Sequence, residues 1–381
     1  MTTTSKDALF FPRTALAQGI LGTFETGLQT AATIFAPRRK GKTTFLNNDL
    51  IPLAKERGFL VANADLWFDK AHPERVLIGA LYEAIHGTGF LRRNWMKLTR
   101  PGAVLNSVEA GAGTEGVTMK AELAKEGSLD LVELFERFRQ LGKGKALLII
   151  DEVQHLATKK EFEDLTATLR SLLQRAQGDV YAVFTGSSQD GLHRMFRHTK
   201  APFYKFSHEF QFPNLGYEFL QHLGVRFHEI TGREWDVDAA FERYVARGQM
   251  PIYIRDVFQI CVTDGLSIRD ADRRAWATMT NDGDFSNLLL ELPALDIAIL
   301  FAVVKGMSVF SAEGLAWIGN EIRSPKPLSA ATVQTALKRL QRRDLVGNLG
   351  RGKWEMEDIA FESYIRRTFI DPEQTPDDDA R

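Results

Sequence analysis

The chain has 381 residues, 44% of them hydrophobic and 25% charged, with a net charge of −1. That length suits about two or three domains with cores of their own, and the near-neutral balance excludes a global pull toward nucleic acid or membrane, so any such surface must be local. A single cysteine, Cys261, excludes an internal disulfide and suits a reducing compartment, no apolar run reaches membrane-spanning length, and the polar start Met1-Thr2-Thr3-Thr4-Ser5-Lys6-Asp7 lacks the order of a signal peptide.

A cytoplasmic protein without membrane contact is therefore expected. Residues 15–28 read as a helix lying beside the first strand. The preceding Phe11-Pro12-Arg13 suits contact with an adenine base, with a neighbouring subunit, or plain surface packing. Residues 30–36 are apolar and β-branched, as in a strand, and Thr43 opens a helix. Between them runs Ala36-Pro37-Arg38-Arg39-Lys40-Gly41-Lys42-Thr43-Thr44. This is how a phosphate-binding loop looks: backbone N–H groups and a helix N-terminus cradle a polyphosphate. Gly41 allows close approach, Lys42 places a point charge at the β- and γ-phosphates, and the Thr43 hydroxyl faces Mg²⁺. The usual pattern opens on glycine, where this chain has Ala36 followed by Pro37. The residue before a proline prefers extended geometry, which suits the end of a strand. Read without that motif, the stretch is a basic surface turn.

A helix over 44–57, a strand over 59–65 and a helix over 73–86 continue a βαβα rhythm, which argues for a parallel α/β sheet. Residues 87–128 interrupt it with seven glycines and a hairpin-like 118–122. They read as an insertion. Its basic run Arg92, Arg93, Lys97 and Arg100 around Trp95 suits either nucleic acid or a solvated face.

A helix over 129–141 precedes Ala146-Leu147-Leu148-Ile149-Ile150-Asp151-Glu152. Five consecutive apolar residues fit a strand buried on both faces. Its acid pair falls at the strand end, where open α/β sheets bind ligands. Asp151 is placed to hold Mg²⁺ and Glu152 to polarise an attacking water as general base. Phe162, Leu165, Leu169 and Leu172 recur at helical spacing over 161–175. Residues 180–186 form another buried strand, ending in Ser187 and Ser188, whose hydroxyls suit positioning a water or closing a turn. Arg194 and Arg197 are candidates for stabilising transition-state charge in a neighbouring subunit's site, or else face solvent on a helix. A last strand is expected over 205–212, closed by Pro213.

In this order, residues 36–43, 147–152 and 183–188 resemble the phosphate loop, the metal and base strand and the sensor strand of the AAA-type P-loop ATPases. Within that family the chain is most similar to the prokaryotic "archaeal-type" group, akin to the origin-recognition initiators and transposition-helper ATPases. The resemblance spans about residues 10–370, with specific motifs only in the first 210. It implies ATP and Mg²⁺ as cofactors, ATP hydrolysis, a P-loop NTPase parallel sheet core with a helical lid, and homo-oligomerisation as an option. In Gly248-Gln249-Met250-Pro251-Ile252-Tyr253-Ile254-Arg255, Arg255 resembles the family's second sensor, which touches the γ-phosphate. A surface ion pair is the other reading.

After Leu292-Pro293 come helices over 295–304, 311–319 and 329–343, with Ser329 as cap. A glycine-tipped hairpin over 344–357 follows. Three helices and a hairpin resemble a winged helix-turn-helix. From 322 to 353 there are eight Lys or Arg against Asp344 alone, so this stretch carries +7 and leaves −8 for the rest. That asymmetry suits double-stranded DNA, with Lys338, Arg339, Arg342 and Arg343 on phosphates or bases and Arg351 and Lys353 on the wing. A module gripping a partner protein is the alternative. The acidic 371–381 is expected as a tail. The division expected is 1–29 as an N-terminal segment, 30–213 as ATPase core with its insertion, 214–291 as lid, 292–370 as winged helix and 371–381 as tail. The function implied is a nucleotide-gated, DNA-associated switch or motor in a mobile-element, replication or defence setting. The alternative is a signalling or scaffold ATPase. No histidine spacing suggests a transition-metal site.

Overall fold

The computed structural model describes residues 7–87, 130–188, 191, 193–197, 199–280, 283–343, 345–350 and 352–371. The expected insertion past Gly87, with its basic run and hairpin, lies outside the described residues, as do Arg351 and the tail past Asp371.

Five parallel strands form one sheet in the order β2-β3-β4-β1-β5. They are β1 (Ala31–Phe35), β2 (Leu60–Asp65), β3 (Ala146–Asp151), β4 (Val180–Gly186) and β5 (His208–Phe210). Every residue of β1, β3 and β4 is buried. The reason is that both faces are covered, so an unbroken apolar run is stable where an alternating one would waste half its side chains. Successive residues divide between the faces. Leu147, Ile149 and Val183 pack with Ile20, Phe24, Phe45 and Leu50 of α1 (Thr14–Glu25) and the helix after β1. Leu148, Ile150 and Phe184 pack on the other side with α4 (Pro73–His86), α5 (Leu131–Gly142) and α6 (Glu163–Arg175). The helix after β1 is α2 (Lys42–Phe45), which passes through a π turn (Leu46–Leu50) into α3 (Ile51–Glu56).

The sequence reading places most elements within a few residues. Strand β5 is the exception, covering three residues where 205–212 were expected. Before it, the rings of Phe203 and Phe206 turn into the cluster around Phe184, at 5.1 and 6.3 Å between centroids. That burial holds the preceding residues in turns instead of against β1.

A second body of helices follows: α7 (Tyr217–Thr231), α8 (Val237–Ala246), α9 (Pro251–Thr263) and α10 (Ile268–Thr280). They share a core around Phe219, Tyr244, Tyr253 and Phe258. Helix α8 is capped by Asp236, which accepts from Ala239 N at 3.0 Å. A third core gathers α11 (Gly283–Leu290), α12 (Ala294–Val304), α13 (Ala312–Glu321), α14 (Ala330–Arg342) and the antiparallel pair β6 (Val346–Gly350) and β7 (Lys353–Met356). Ser311 and Ser329 cap α13 and α14 through Gly314 N and Thr332 N, at 3.0 and 3.1 Å. Beyond the hairpin, α15 (Ile359–Ile365) was not foreseen from the sequence. Its buried Ala360, Phe361 and Ile365 close the third core.

Candidate nucleotide site

The loop from β1 to α2 lies at the carboxyl ends of the strands. Gly41 has φ +88°, in the left-handed region where a side chain would be strained, and Arg39 also has positive φ, +67°. Pro37 is exposed, Arg38 and Arg39 are half-buried, and Lys40 and Lys42 are buried; Thr43 and Thr44 open α2 on its exposed side. Lys42 folds back across its own loop, its Nζ donating to the carbonyls of Ala36 at 2.6 Å and Pro37 at 3.0 Å. The Lys40 ammonium reaches the helical body instead, donating to Gly248 O at 2.5 Å and Gln249 O at 3.3 Å. The Arg38 guanidinium lies over Trp67, 4.7 Å from the ring centroid. Arg39 pairs with Asp358 at 3.5 Å.

The two halves of the motif converge. Thr43 Oγ1 donates to Asp151 Oδ2 at 3.0 Å. Asp151 Oδ1 accepts from Glu152 N at 3.1 Å and from the Thr185 hydroxyl of β4. Glu152 sits in the left-handed region at φ +57°, which turns its carboxylate out of the strand direction. That carboxylate accepts from Ser187 Oγ at 2.9 Å and from the Gln154 side-chain amide. Gln154, 2% exposed, also donates to Ser187 at 3.3 Å. Gly186 is what admits it: a Cβ there would lie 2.3 Å from Gln154 Oε1 and 2.4 Å from the Phe35 ring.

The electrostatics follow from burial. Desolvation pushes the Lys42 ammonium below its ordinary pKa, against the fields of Glu152 and Asp151. Desolvation pushes the Glu152 carboxyl above the usual range, opposed by Lys42 and by the two side-chain donors. A carboxylate moved toward neutrality is a better proton acceptor at working pH.

For a divalent cation, Thr43 and Asp151 offer adjacent hard oxygens. That donor set suits Mg²⁺, which keeps waters and phosphate oxygens in its shell and rarely uses an all-protein cage. Among the described residues no group of three His, Cys, Asp or Glu is poised for a metal.

The remaining candidates scatter. Ser188 Oγ donates to Glu357 at 3.0 Å. Arg194 and Arg197 lie in a π turn (His193–Arg197) after β4, and Arg197 donates to both oxygens of Glu209 on β5, each at 2.7 Å. Arg255 stands early in α9, as expected, with its guanidinium held by Asp7 at 2.8 Å. Phe11 packs against Phe219 and His222 of α7, and Arg13 bonds to Lys40 O at 3.1 Å, so the N-terminal stretch bridges the loop and the helical body.

On the third core, Arg339 chelates Asp296, whose carboxylate is fully buried in α12, and Arg343 pairs with Glu291 at 2.9 Å. Arg339 is committed within the fold, because a buried carboxylate demands a partner, whereas the Arg343–Glu291 pair is a surface ion pair on an exposed carboxylate. Lys338 and Arg342 are exposed and make no ion pair among the described residues, and Lys353 is exposed on β7.

Gln154, Thr185, Glu357 and Asp358 belong to the site and carry no role in the sequence reading. Gln154 had a signal in its place two residues past the acid pair. Thr185 had one in the hydroxyl-bearing end of its strand, and Glu357 and Asp358 had none, because they arrive from a separate element.

No protein-family model and no curated protein matches the chain. Solved structures do. The Walker-type ATPase PABY2304 of Pyrococcus abyssi superposes with a TM-score of 0.62 at 15% identity, over 94% of this chain and 96% of that one. The Aeropyrum pernix ORC2 protein in its ADPNP-ADP complexes gives 0.53 at 13% identity, over 95% and 98%. Its ADP form gives 0.51 at 14%, over 91% and 88%. The chain therefore has the P-loop NTPase fold of these Walker-type and ORC structures.

Proposed function

We propose that the chain binds ATP with Mg²⁺ and hydrolyses it, at the loop of residues 36–44. The observation that carries this reading is the 3.0 Å hydrogen bond from Thr43 to Asp151. Two motifs 108 residues apart meet there, and neither has reason to do so in a merely structural turn. The similar structures of the same fold are a Walker-type ATPase and ORC2 in its ADPNP-ADP and ADP forms, which agrees with it.

The chain's own residues divide the work. Backbone N–H groups of 38–44 and the N-terminus of α2 receive the phosphates. Lys42 exchanges the carbonyls of Ala36 and Pro37 for phosphate oxygens. Thr43 and Asp151 would hold Mg²⁺, which when bound neutralises charge on the β- and γ-phosphates. Glu152, held by Ser187 and Gln154, orients the water and takes its proton. Arg194 or Arg197 from a neighbouring copy, and Arg255 within the chain, are the candidates for transition-state charge. Arg197 and Arg255 would have to leave Glu209 and Asp7 to serve.

Titration calorimetry with ATP and Mg²⁺, paired with phosphate release by wild type and Glu152→Gln, tests this. Binding in both with turnover only in wild type supports it. Absence of heat removes it, and equal turnover removes Glu152 as base.

A second reading concerns the partner. The third core, which we read as the winged helix at 292–370, presents Lys338, Arg342 and Lys353 on its exposed surface. Double-stranded DNA fits this charge best. A protein partner for a signalling ATPase is the alternative, and among the described residues no helix is long and apolar enough to cross a membrane. We keep the division into core, lid and winged module as part of the same proposal, with α11 (Gly283–Leu290), which the expected lid of 214–291 included, packing in the third core.

A further inference from the structure

We propose that Glu357 and Asp358 form a latch that holds the third core on the nucleotide site and that a bound polyphosphate displaces. Three consecutive residues after β7 touch three parts of the site. Glu357 accepts from Ser188 Oγ at 3.0 Å, at the end of the sensor strand. Asp358 pairs with Arg39 of the phosphate loop at 3.5 Å, with side chains only 27% and 16% exposed. Ile359 lies against Gly248, where an added Cβ would come within 2.8 Å of Ile359 Cδ1. Gly248 also accepts from Lys40.

The segment is rigidly attached to its own module. Glu357 N donates to Leu345 O at 3.1 Å, at the base of the hairpin. Asp358 caps α15 through Ala360 N at 2.8 Å and Phe361 N at 3.3 Å. The backbone of this segment therefore moves with the hairpin, and the Asp358 carboxylate, committed to the cap, moves with α15.

Their charge is wrong for a phosphate site. Glu357 is among the acids whose field reaches Lys42. An incoming polyphosphate carries the same sign as both carboxylates and seeks the same cations, Arg39 and Lys42. It also meets the sensor hydroxyl row that Glu357 now engages. Like charges at this range repel, and the repulsion is stronger in a partly buried setting than at an open surface. The latch includes a neutral-donor hydrogen bond and a partly exposed ion pair, interactions of a strength that a ligand can break. Occupancy of the loop and position of the basic module are thereby coupled, and by reciprocity opening the latch tightens nucleotide binding.

This inference rests on the nucleotide reading above, and the experiment separates the two. Spin labels at Glu56→Cys and Ala331→Cys, both exposed positions, report the distance between core and third module in the full chain. The native Cys261, 1% exposed, does not compete for label. Distances are recorded without ligand and with Mg²⁺ and ATPγS, for the labelled parent and for Glu357→Ala/Asp358→Asn. Asparagine keeps the cap of α15 while removing the charge, and Asp358→Asn alone serves if the double variant does not fold. Expected is a distance change in the parent on adding nucleotide, the same change in the variant without it, and a nucleotide Kd about five- to a hundredfold tighter in the variant. Equal Kd values with a distance unmoved by ligand or substitution overturn the latch and leave the nucleotide site standing. No binding by either protein overturns both.

Discussion

Replacing Gln154 by methionine removes one donor from the proposed base while keeping the stem that fills the space beside Gly191. In the wild type, the Glu152 carboxylate has two side-chain donors, Gln154 and Ser187. Both act against desolvation, which otherwise holds its proton on. A hydrogen bond to a charged acceptor contributes about 1.5–3 kcal/mol. Part of that is lost as misorientation of the base and part as a further rise in its pKa. The expected result is a fall in kcat of about ten- to a hundredfold with KM little changed. The acid limb of the rate profile moves to higher pH, because the base acts only when deprotonated and the variant gives up its proton less readily. Phosphate release measured from acid to mildly alkaline pH reads both effects, with the thermal midpoint as a check on folding. A folded variant whose rate and pH profile overlay the wild type would show that Glu152 does not act through this network.

Lys42→Ala should abolish measurable heat with ATP and Mg²⁺ while the chain stays folded, because, of the two carbonyls the ammonium now occupies, Ala36 O and Pro37 O, the second belongs to an exposed residue and can take water. Retained affinity would place the nucleotide elsewhere. Arg339→Ala and Arg342→Ala should differ in kind. The first strands the fully buried Asp296 and is expected to cost about 2–3 kcal/mol after allowing for the exposed half of the pair; the second should stay within about 0.5 kcal/mol. In a salt-titrated DNA-binding assay, Arg342→Glu with Lys338→Glu should weaken binding and flatten the salt slope by about one unit per lost phosphate contact. Unchanged binding favours a protein partner for this surface.

The sheet was legible because its strands are short apolar runs bounded by turns. Ala146 to Ile150 could hardly be anything else, and it is buried throughout. The site was legible where its chemistry is local, in Gly41-Lys42-Thr43 and in Asp151-Glu152. What pattern could not reach was the pairing of side chains across elements. Arg339 reads as one more cation on a basic helix until Asp296, 43 residues earlier, is seen beneath it. Arg197 likewise reads as an active-site or solvent-facing arginine until Glu209 claims it, and for Arg255 the sequence offered an ion pair without naming its partner, which the fold shows to be Asp7. Periodicity reports which face a residue occupies. It carries no information about which opposite charge waits on a neighbouring element.

The joints between the three bodies share one feature that bears on mechanism. Each body has its own apolar core, and the contacts that tie the phosphate loop to the other two bodies are polar. Lys40 binds the carbonyls of Gly248 and Gln249, Arg13 binds Lys40 O, and Arg39 binds Asp358. A net hydrogen bond contributes only about 0.5–1.5 kcal/mol, whereas each buried large side chain contributes about 1.5–3 kcal/mol to its own core. The bodies are thus stiff, and the joints at the phosphate loop are softer than the cores. Two consecutive residues of the loop, Arg39 and Lys40, stand between phosphate and joint, so a ligand that reorders their backbone redraws the contacts to the other two bodies. Movement in this chain is therefore expected as rotation of intact bodies about residues 39–40, and hydrogen exchange should show protection changing at 36–44, 247–250 and 355–360 while β3 and β4 stay protected.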